Sequence, residues 1–362
     1  MTKRTTKQVA MLGCTTVAVD LAKRVFQVAG EDALGRVMVE TRLPSREAFR
    51  TFLRALPEGL ELLMEPGPGA QAWAREALGF GQRVRLLPAQ RVAEHRSGAK
   101  NDRNDTHALL RAGRDRSIAA VPIKTAESLA MQAQHRVRSG YVRRRTAIGN
   151  QIRGLLLEQG IAMPKGGAAL LERAGRVIED ATQPVPDALR ELVADLLAEW
   201  SHLGQRIDAM TARLTAAARQ HDSARRLMTV RGFGPIIVTA LIAKQALPER
   251  FASGRQFAAY FGTVPDQHSS GERTRLGRMS KRGDGYLRSL AIQGAHAVLQ
   301  QVRPESSAAD DRRLLRWLQR HGRKGAAVRL ANRNLRIAWA LLQGDDVYRR
   351  ERALPQEDAM TD

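Results

Sequence analysis

Cysteine occurs once in the 362 residues, at Cys14. No disulfide can therefore form within a monomer, which suits a reducing compartment, the cytoplasm. Aromatic side chains make up only 4%, so leucine, isoleucine, valine and alanine must fill the core that a 43% hydrophobic composition supplies. No apolar run is long enough to cross a bilayer. The basic opening from Met1 to Lys7 leads into a short stretch that soon meets Asp20 and Lys23, which argues against a signal peptide. Acidic residues are also in deficit. Lys+Arg number 59 against 37 Asp+Glu, a net charge of +22. A field of that sign favours a polyanionic partner, because each neutralised phosphate releases a condensed counterion. A basic ribosomal or membrane-surface protein shares this composition. The excess runs along the whole chain, however, which fits long contact with nucleic acid better than one anchoring patch.

Along the chain the patterns change twice. The first third reads as α/β. Val17–Asp20, Phe26–Ala29, Arg36–Glu40, Leu60–Glu65 and Val84–Leu87 are predicted strands. Ser45 is a candidate cap for a helix through Phe49, Phe52 and Leu56, and a second helix passes through Trp73, Ala77 and Leu78. Strands followed by strand–helix alternation predict a mixed sheet with helices on its faces. The middle is helical, from about Thr125 to Glu158, and is interrupted at Pro164, Gly166 and Gly167. Leu189, Val193, Leu196, Trp200, Leu203, Ile207, Met210 and Leu214 then alternate spacings of four and three. That is a coiled-coil seam. Its partner is open: the Thr125–Glu158 helix of the same chain, a second copy, or both. The last third is helical with a loop around Gly262 to Gly277, a basic helix from Asp284 to Gln301 and an apolar helix from Asn332 to Leu342.

Four carboxylates stand out. Asp20 and Glu65 each end an apolar strand, where a sheet edge can bring them together. Asp102 and Asp105 lie three apart at the start of a predicted helix, on one face and beside its positive end. Such a set suits hard cations, Mg²⁺ or Mn²⁺, and a pair of these ions about 4 Å apart supports phosphoryl transfer. Taken singly, each residue also reads as a turn, surface or capping residue. Downstream, Ser269-Ser270-Gly271 reads by itself as an exposed loop, with Lys281, Arg282 and Arg288 close by as possible phosphate ligands. Val230-Arg-Gly-Phe-Gly-Pro235 resembles a helix–hairpin–helix turn and reads equally as a plain helix connection. Arg143, Arg144, Arg145 and Arg153 stud the first central helix as a solvated face or a nucleic-acid grip.

Three blocks carry a family resemblance: Val17-Ala-Val-Asp20-Leu-Ala-Lys23, Met64-Glu65-Pro-Gly67 and Lys100-Asn-Asp102-Arg-Asn-Asp105-Thr-His-Ala108. They resemble the signature of the DEDD transposases of insertion sequences, written IS-one-ten, a family that includes the Piv-type DNA invertases. Pro66 is a departure that alters the turn and leaves the carboxylate intact. The resemblance implies a RuvC-like N-terminal domain of RNase H fold in which Asp20, Glu65, Asp102 and Asp105 bind the divalent ions. Tyr260 to Arg288 resembles the C-terminal transposase domain of the same family. There the serine before the glycine is the implied nucleophile, hence Ser270, with Ser269 as runner-up. Gly-Thr-Val-Pro replaces the more usual Gly-Leu-Thr-Pro. The family further implies a 5′-phosphoserine link to DNA, a bridge RNA as guide, and a dimer or tetramer whose active sites combine two protomers.

The expected architecture is therefore α/β plus all-α. It comprises a catalytic domain over 1–120, a helical coiled-coil region over 121–219, a serine-bearing, mainly helical transposase domain over 220–345, and a disordered tail over 346–362. The expected activity is excision and insertion of a mobile element, in the cytoplasm and at the nucleoid. The alternatives are a Piv-type invertase, a RuvC-type nuclease of branched DNA, and a non-enzymatic nucleic-acid-binding protein.

Overall fold

The alternating stretches of the first ninety residues become five strands: β1 (Thr16–Leu21), β2 (Phe26–Glu31), β3 (Val37–Leu43), β4 (Glu61–Met64) and β5 (Arg83–Leu86). This computed structural model describes residues 13–98, 101–245, 247–267, 275–306 and 308–349. Its contacts divide into two units, Met1–Thr125 and Ala126–Asp362. In the first unit the sheet order is β3-β2-β1-β4-β5. The first three strands run antiparallel, and β4 and β5 are parallel to β1. Parallel neighbours need crossovers. Helix α1 (Arg46–Ala55) leads into β4, and α2 (Ala70–Gly79) joins β4 to β5. Ser45 caps α1 as expected, accepting the Ala48 N–H at 3.1 Å.

The period of two sorts this sheet into faces. Val17, Val19, Leu62 and Met64 point into a core with α1 and α2, where Phe26 stacks on Phe49 at 4.4 Å and Trp73 closes edge-on. Each such buried ring contributes about 1.5–3 kcal/mol. Ala18, Ala29 and Leu63 point the other way, against Ala108, Leu109 and Ala112 of a later helix, α4 (Asp102–Arg114); the short α3 (Ala89–Ala93) precedes it. The small side chains let α4 lie close. A Cβ at Gly113 would stand 2.2 Å from Leu63 Cδ1, so any larger residue there would push the buried Leu63 side chain aside. The helix packs on β1, β2 and β4 through Ala108, Leu109 and Ala112. Its last turn is fastened at the start of β1, where Arg114 pairs with buried Glu31, which lies opposite Thr16. The Gly113 carbonyl also accepts Arg85 Nη1 at 2.7 Å. The first two turns of α4 are fastened to β3, where Arg103 and His107 meet Glu40.

In the second unit, α5 (Ala126–Leu157), α6 (Gly167–Glu179) and α7 (Asp187–Gln220) form one core. The seam on α7 finds α5. Arg138 Nε donates to Thr211 Oγ1 at 2.8 Å, Arg206 lies over Tyr141 at 4.6 Å and Arg145 over Trp200 at 5.0 Å. Residue numbers fall on one arm as they rise on the other, so the pair is an antiparallel hairpin within the chain. Val193, Leu203, Ile207 and Leu214 of the seam are buried, whereas Leu189, Leu196, Trp200 and Met210 are half-buried. Leu197 takes the inward place expected of Leu196. A straight helix of 3.6 residues per turn drifts away from a strict 3.5-residue stripe.

A second core gathers α8 (Asp222–Leu227), α9 (Pro235–Lys244), a 3₁₀ turn at Pro248–Arg250, α10 (Gly254–Tyr260), α11 (Gly285–Gln301) and α12 (Ala309–Gln343). Two expectations change here. The stretch around Gly262–Gly277 is not all loop: β6 (Pro265–Gln267) pairs antiparallel with β7 (Leu276–Met279). The apolar helix expected over Asn332–Leu342 is the end of α12, which bends at Gly322, where φ is +65° and ψ 175°. Arg333 Nη1 lies 3.2 Å from Asp310 Oδ1. In one straight helix these residues would be about 35 Å apart, so α12 is two antiparallel arms. Of the expected tail, Tyr348 packs on this core and its N–H donates to Thr229 Oγ1 at 3.0 Å. Residues 350–362 lie outside the described residues.

Candidate active site

Asp20 and Glu65 come from neighbouring parallel strands. The paired register runs from Thr16 with Glu61 to Val19 with Met64, and Asp20 and Glu65 are the next residue on each chain. Adjacent strands lie about 4.8 Å apart. Strand alternation places Asp20 on the side of Ala18 and carries Glu65 to the side of Leu63, the face that α4 covers. Both are half-buried.

Asp102 and Asp105 occupy the first turn of α4. Neither caps it. Asn101 is the cap, its side chain accepting the Asn104 N–H at 2.8 Å. That removes the capping role as an explanation for the two aspartates. Asp105 lies about 12 Å along the helix from Gly113, and Glu65 about 7 Å along the strand from Leu63. Asp105 is half-buried, and Asp102, three residues nearer the start of the helix, is exposed. Asp20 and Glu65 share one edge of the sheet, and Asp102 and Asp105 share the first turn of α4. Among the described residues, no three His, Cys, Asp or Glu side chains are gathered closely enough to hold a metal ion. Mutual repulsion of like charges opposes such closure.

A residue missed in the sequence stands in this place. Arg96, on the segment between α3 and α4, brings Nε to 2.7 Å from Asp105 Oδ1. Both atoms are buried and neither makes an aligned hydrogen bond. A buried carboxylate oxygen that accepts nothing calls for a cation, and here the cation is a guanidinium. The donor set, all carboxylate oxygen at one strand edge, fits Mg²⁺ or Mn²⁺ in type. Arg103 and His107 on the flank of α4 both engage Glu40 of β3, the former at 3.0 Å, and fix the azimuth of the helix. Burial raises the Glu40 carboxyl, but hydrogen bonding to His107 and Arg103 holds it below its ordinary value.

Ser270 and its runner-up Ser269 lie outside the described residues, as does His268. The strands on either side of that interval pair, Gln267 with Leu276. They rise from a tight backbone platform. A Cβ on Gly262 would meet the Arg282 carbonyl at 2.0 Å, and one on Gly283 the Tyr260 carbonyl at 1.9 Å. Lys281 adopts φ +54° to make the turn.

The candidate nucleic-acid residues sort by environment. Arg143, Arg144, Lys281 and Arg282 are exposed. Arg145 is half-buried over Trp200. Arg153 donates to the Pro164 and Gly166 carbonyls at 3.2 Å each, closing the turn before α6. Arg288 donates to the Phe261 and Arg282 carbonyls at 3.0 and 3.3 Å. In the Val230–Pro235 turn, Gly232 sits at φ +85°, and its carbonyl would be 2.0 Å from a Cβ on Gly294 of α11. These glycines serve close packing of the turn on a helix.

A buried polar group lies beneath the platform. His135 is held between Tyr286, whose hydroxyl is 3.0 Å from Nδ1, and Thr239, whose Oγ1 is 3.0 Å from Nε2. Burial, and then Arg138, lower its pKa to about 4. Beside it Lys244 donates to Asp284 at 3.0 Å, and Asp284 caps α11.

Comparison with known sequences adds the following. Residues 17–160 match the family model of DEDD transposases of the IS110 type, described as Transposase, and residues 224–310 match one described as Transposase IS116/IS110/IS902 family. The first match spans all four carboxylates and the second spans both serines. A probable family 20 transposase of Pseudomonas aeruginosa is 41% identical over 93% of this chain and 99% of its own length. The transposase for insertion sequence element IS1111A of Coxiella burnetii is 33% identical over 96% of this chain and 93% of its own. That for IS1328 of Yersinia enterocolitica is 32% identical over 93% and 99%.

Proposed function

Because the chain belongs to the IS116/IS110/IS902 transposase family, we propose that it excises and inserts an insertion sequence, cutting DNA with an acidic metal site and joining it through a serine. The observation that carries this reading is that Asp20 and Glu65 end adjacent parallel strands, while Asp102 and Asp105 open a helix that packs on the same sheet without capping it. The sheet order β3-β2-β1-β4-β5 supports the RuvC-like, RNase H type of domain.

Asp20 and Glu65 form the central pair of ligands, with Asp105 and then Asp102 completing the set from the helix. When bound, Mg²⁺ or Mn²⁺ supplies charge neutralisation at the phosphate and makes a bound hydroxyl more acidic. Asp105 would give up its contact with Arg96 to serve as a ligand. Ser270 Oγ attacks phosphorus and gives its proton to solvent, and the bond to the 3′ oxygen breaks as that oxygen takes a proton from solvent. That leaves a 5′-phosphoserine and a free 3′-hydroxyl. Rejoining is the reverse, with a different 3′-hydroxyl displacing the serine. One phosphodiester is exchanged for another, so no nucleotide cofactor is required. Arg143, Arg144, Lys281 and Arg282 hold nucleic-acid phosphates, and a bridge RNA selects the DNA sites. The active assembly is a dimer or tetramer in which the serine of one protomer serves the carboxylates of another. Acting on the chromosome, it works at the nucleoid.

The reading is tested by incubating the full chain with DNA carrying its element ends and Mg²⁺, then resolving the products on denaturing gels. A protein–DNA adduct that is absent with Ser270→Ala supports it. Metal-dependent cutting without an adduct assigns the chain to hydrolytic nucleases of the RuvC type instead.

A further inference from the structure

The second unit carries a basic element that the reading above leaves unused. From Arg312 to Gln343 the sequence has eight arginines and one lysine, and no aspartate or glutamate. All of it belongs to α12, the helix folded back on itself at Gly322. The base of this hairpin is anchored. Arg333 is buried on Asp310, Arg231 pairs with Asp311, and Leu314, Ala327, Leu330 and Leu335 sink into the core. The outward side of both arms and the tip are different. Arg312, Arg316, Arg320, Arg323, Lys324 and Arg329 are exposed. Among the described residues none of these six has a carboxylate within 4.0 Å.

Their order is regular. Arg312, Arg316 and Arg320 recur every fourth residue along the outgoing arm, about 6 Å apart. Arg323 and Lys324 open the return arm directly after the turn. Burial, and then the positive charge of Arg329 and Arg320, one from each arm, hold His321 below the ordinary imidazole value. Like charges at this spacing destabilise a helix by a few tenths of a kcal/mol per pair. Elsewhere in the unit such surfaces are balanced: α7 intersperses Asp187, Glu191, Asp195 and Asp208 among its arginines. Here no acid offsets the repulsion, and a polyanion relieves it.

We propose that the tip of the α12 hairpin is a clamp for the phosphate backbone of duplex DNA, with Arg320, Arg323 and Lys324 at its centre and Arg316 and Arg329 on its flanks. The inference rests on the chain acting on DNA, as its family membership indicates. Two packed helices are about 20 Å across, too wide to descend into a major groove of about 12 Å. The tip therefore spans the groove and holds phosphates on its rims. Contacts of that kind position a duplex without reading its sequence.

The test uses the full chain, a duplex of about 30 base pairs of arbitrary sequence and a folded RNA of equal length, titrated from about 50 to 200 mM salt. With R320Q/R323Q/K324Q, the slope of log affinity against log salt for the duplex becomes shallower by about 2 to 3, since each lost phosphate contact removes about 0.9. Duplex affinity falls roughly tenfold or more, RNA affinity is unchanged, and the thermal transition matches wild type. Arg323→Gln alone gives about a third of the change in slope and serves where the triple variant melts early. An unchanged duplex slope overturns the clamp, as does a loss confined to RNA. A wild-type chain that holds no duplex at all overturns the transposase reading, and the clamp with it.

Discussion

Asp20 and Glu65 stand side by side at the carboxyl edge of the sheet, each one residue beyond the last paired position of β1 and β4. The strands hold them there by backbone register, so their spacing does not depend on their charge. Asp20→Asn and Glu65→Gln each keep the shape of the side chain and remove a negative oxygen. Each should lower DNA cutting by at least about 10²–10³-fold while leaving the thermal transition within about 0.5 kcal/mol of wild type. Cleavage assays and melting of the same preparations check both halves.

Arg96 competes with any ion for Asp105. Removing the guanidinium leaves a buried oxygen that only another cation can satisfy. Arg96→Gln should therefore tighten Mn²⁺ binding several-fold in a calorimetric titration, whereas Asp105→Asn should weaken it. Equal weakening by both would show that Arg96 only supports the helix.

Much of this edge was legible in the sequence. Strand alternation and the closing Pro66–Gly67 located Asp20 and Glu65, and the spacing of Asp102 and Asp105 located a helix start. Capping stayed open as an alternative role for the two aspartates because Asn101 and aspartate have similar capping preference. Arg96 left no sequence signal, since a lone arginine before a helix is ordinary in so basic a chain. The seam on α7 gave its helix at once and its partner not at all, because an apolar stripe specifies burial and not what covers it. The α12 hairpin was hidden for a related reason. Gly322 interrupts a helical pattern without proline, and the pairing of Asp310 with Arg333 spans 23 residues that no local period reports. Ser270 rests on resemblance alone, as it lies outside the described residues.

Gly294 and Gly232 meet backbone to backbone. A methyl group at Gly294 would lie 2.0 Å from the Gly232 carbonyl oxygen, an atom that cannot swing aside. Gly294→Ala should cost about 1–3 kcal/mol, read by denaturant unfolding. A neutral result would mean that the turn and α11 are less closely packed than this.

His135 makes the second unit sensitive to acid. Its pKa is about 4 when folded, against 6.5 as the ordinary value. The folded state therefore binds the proton less tightly than the unfolded chain. The associated stability is fully present above pH 6.5 and is lost as pH falls towards 4, by about 3 kcal/mol in all. His135→Gln should flatten that part of the stability curve, measured by thermal melting between pH 4 and pH 7 on either side of this window.

The central claim is that these four carboxylates hold divalent cations. It is tested most directly by crystals of the DNA-bound chain grown with Mn²⁺ and measured at the manganese absorption edge. The account predicts anomalous peaks about 2.1 Å from oxygens of Asp20 and Glu65, with Asp105 turned away from Arg96 to join them. Peaks elsewhere, with Arg96 still seated on Asp105 and DNA in place, would contradict it.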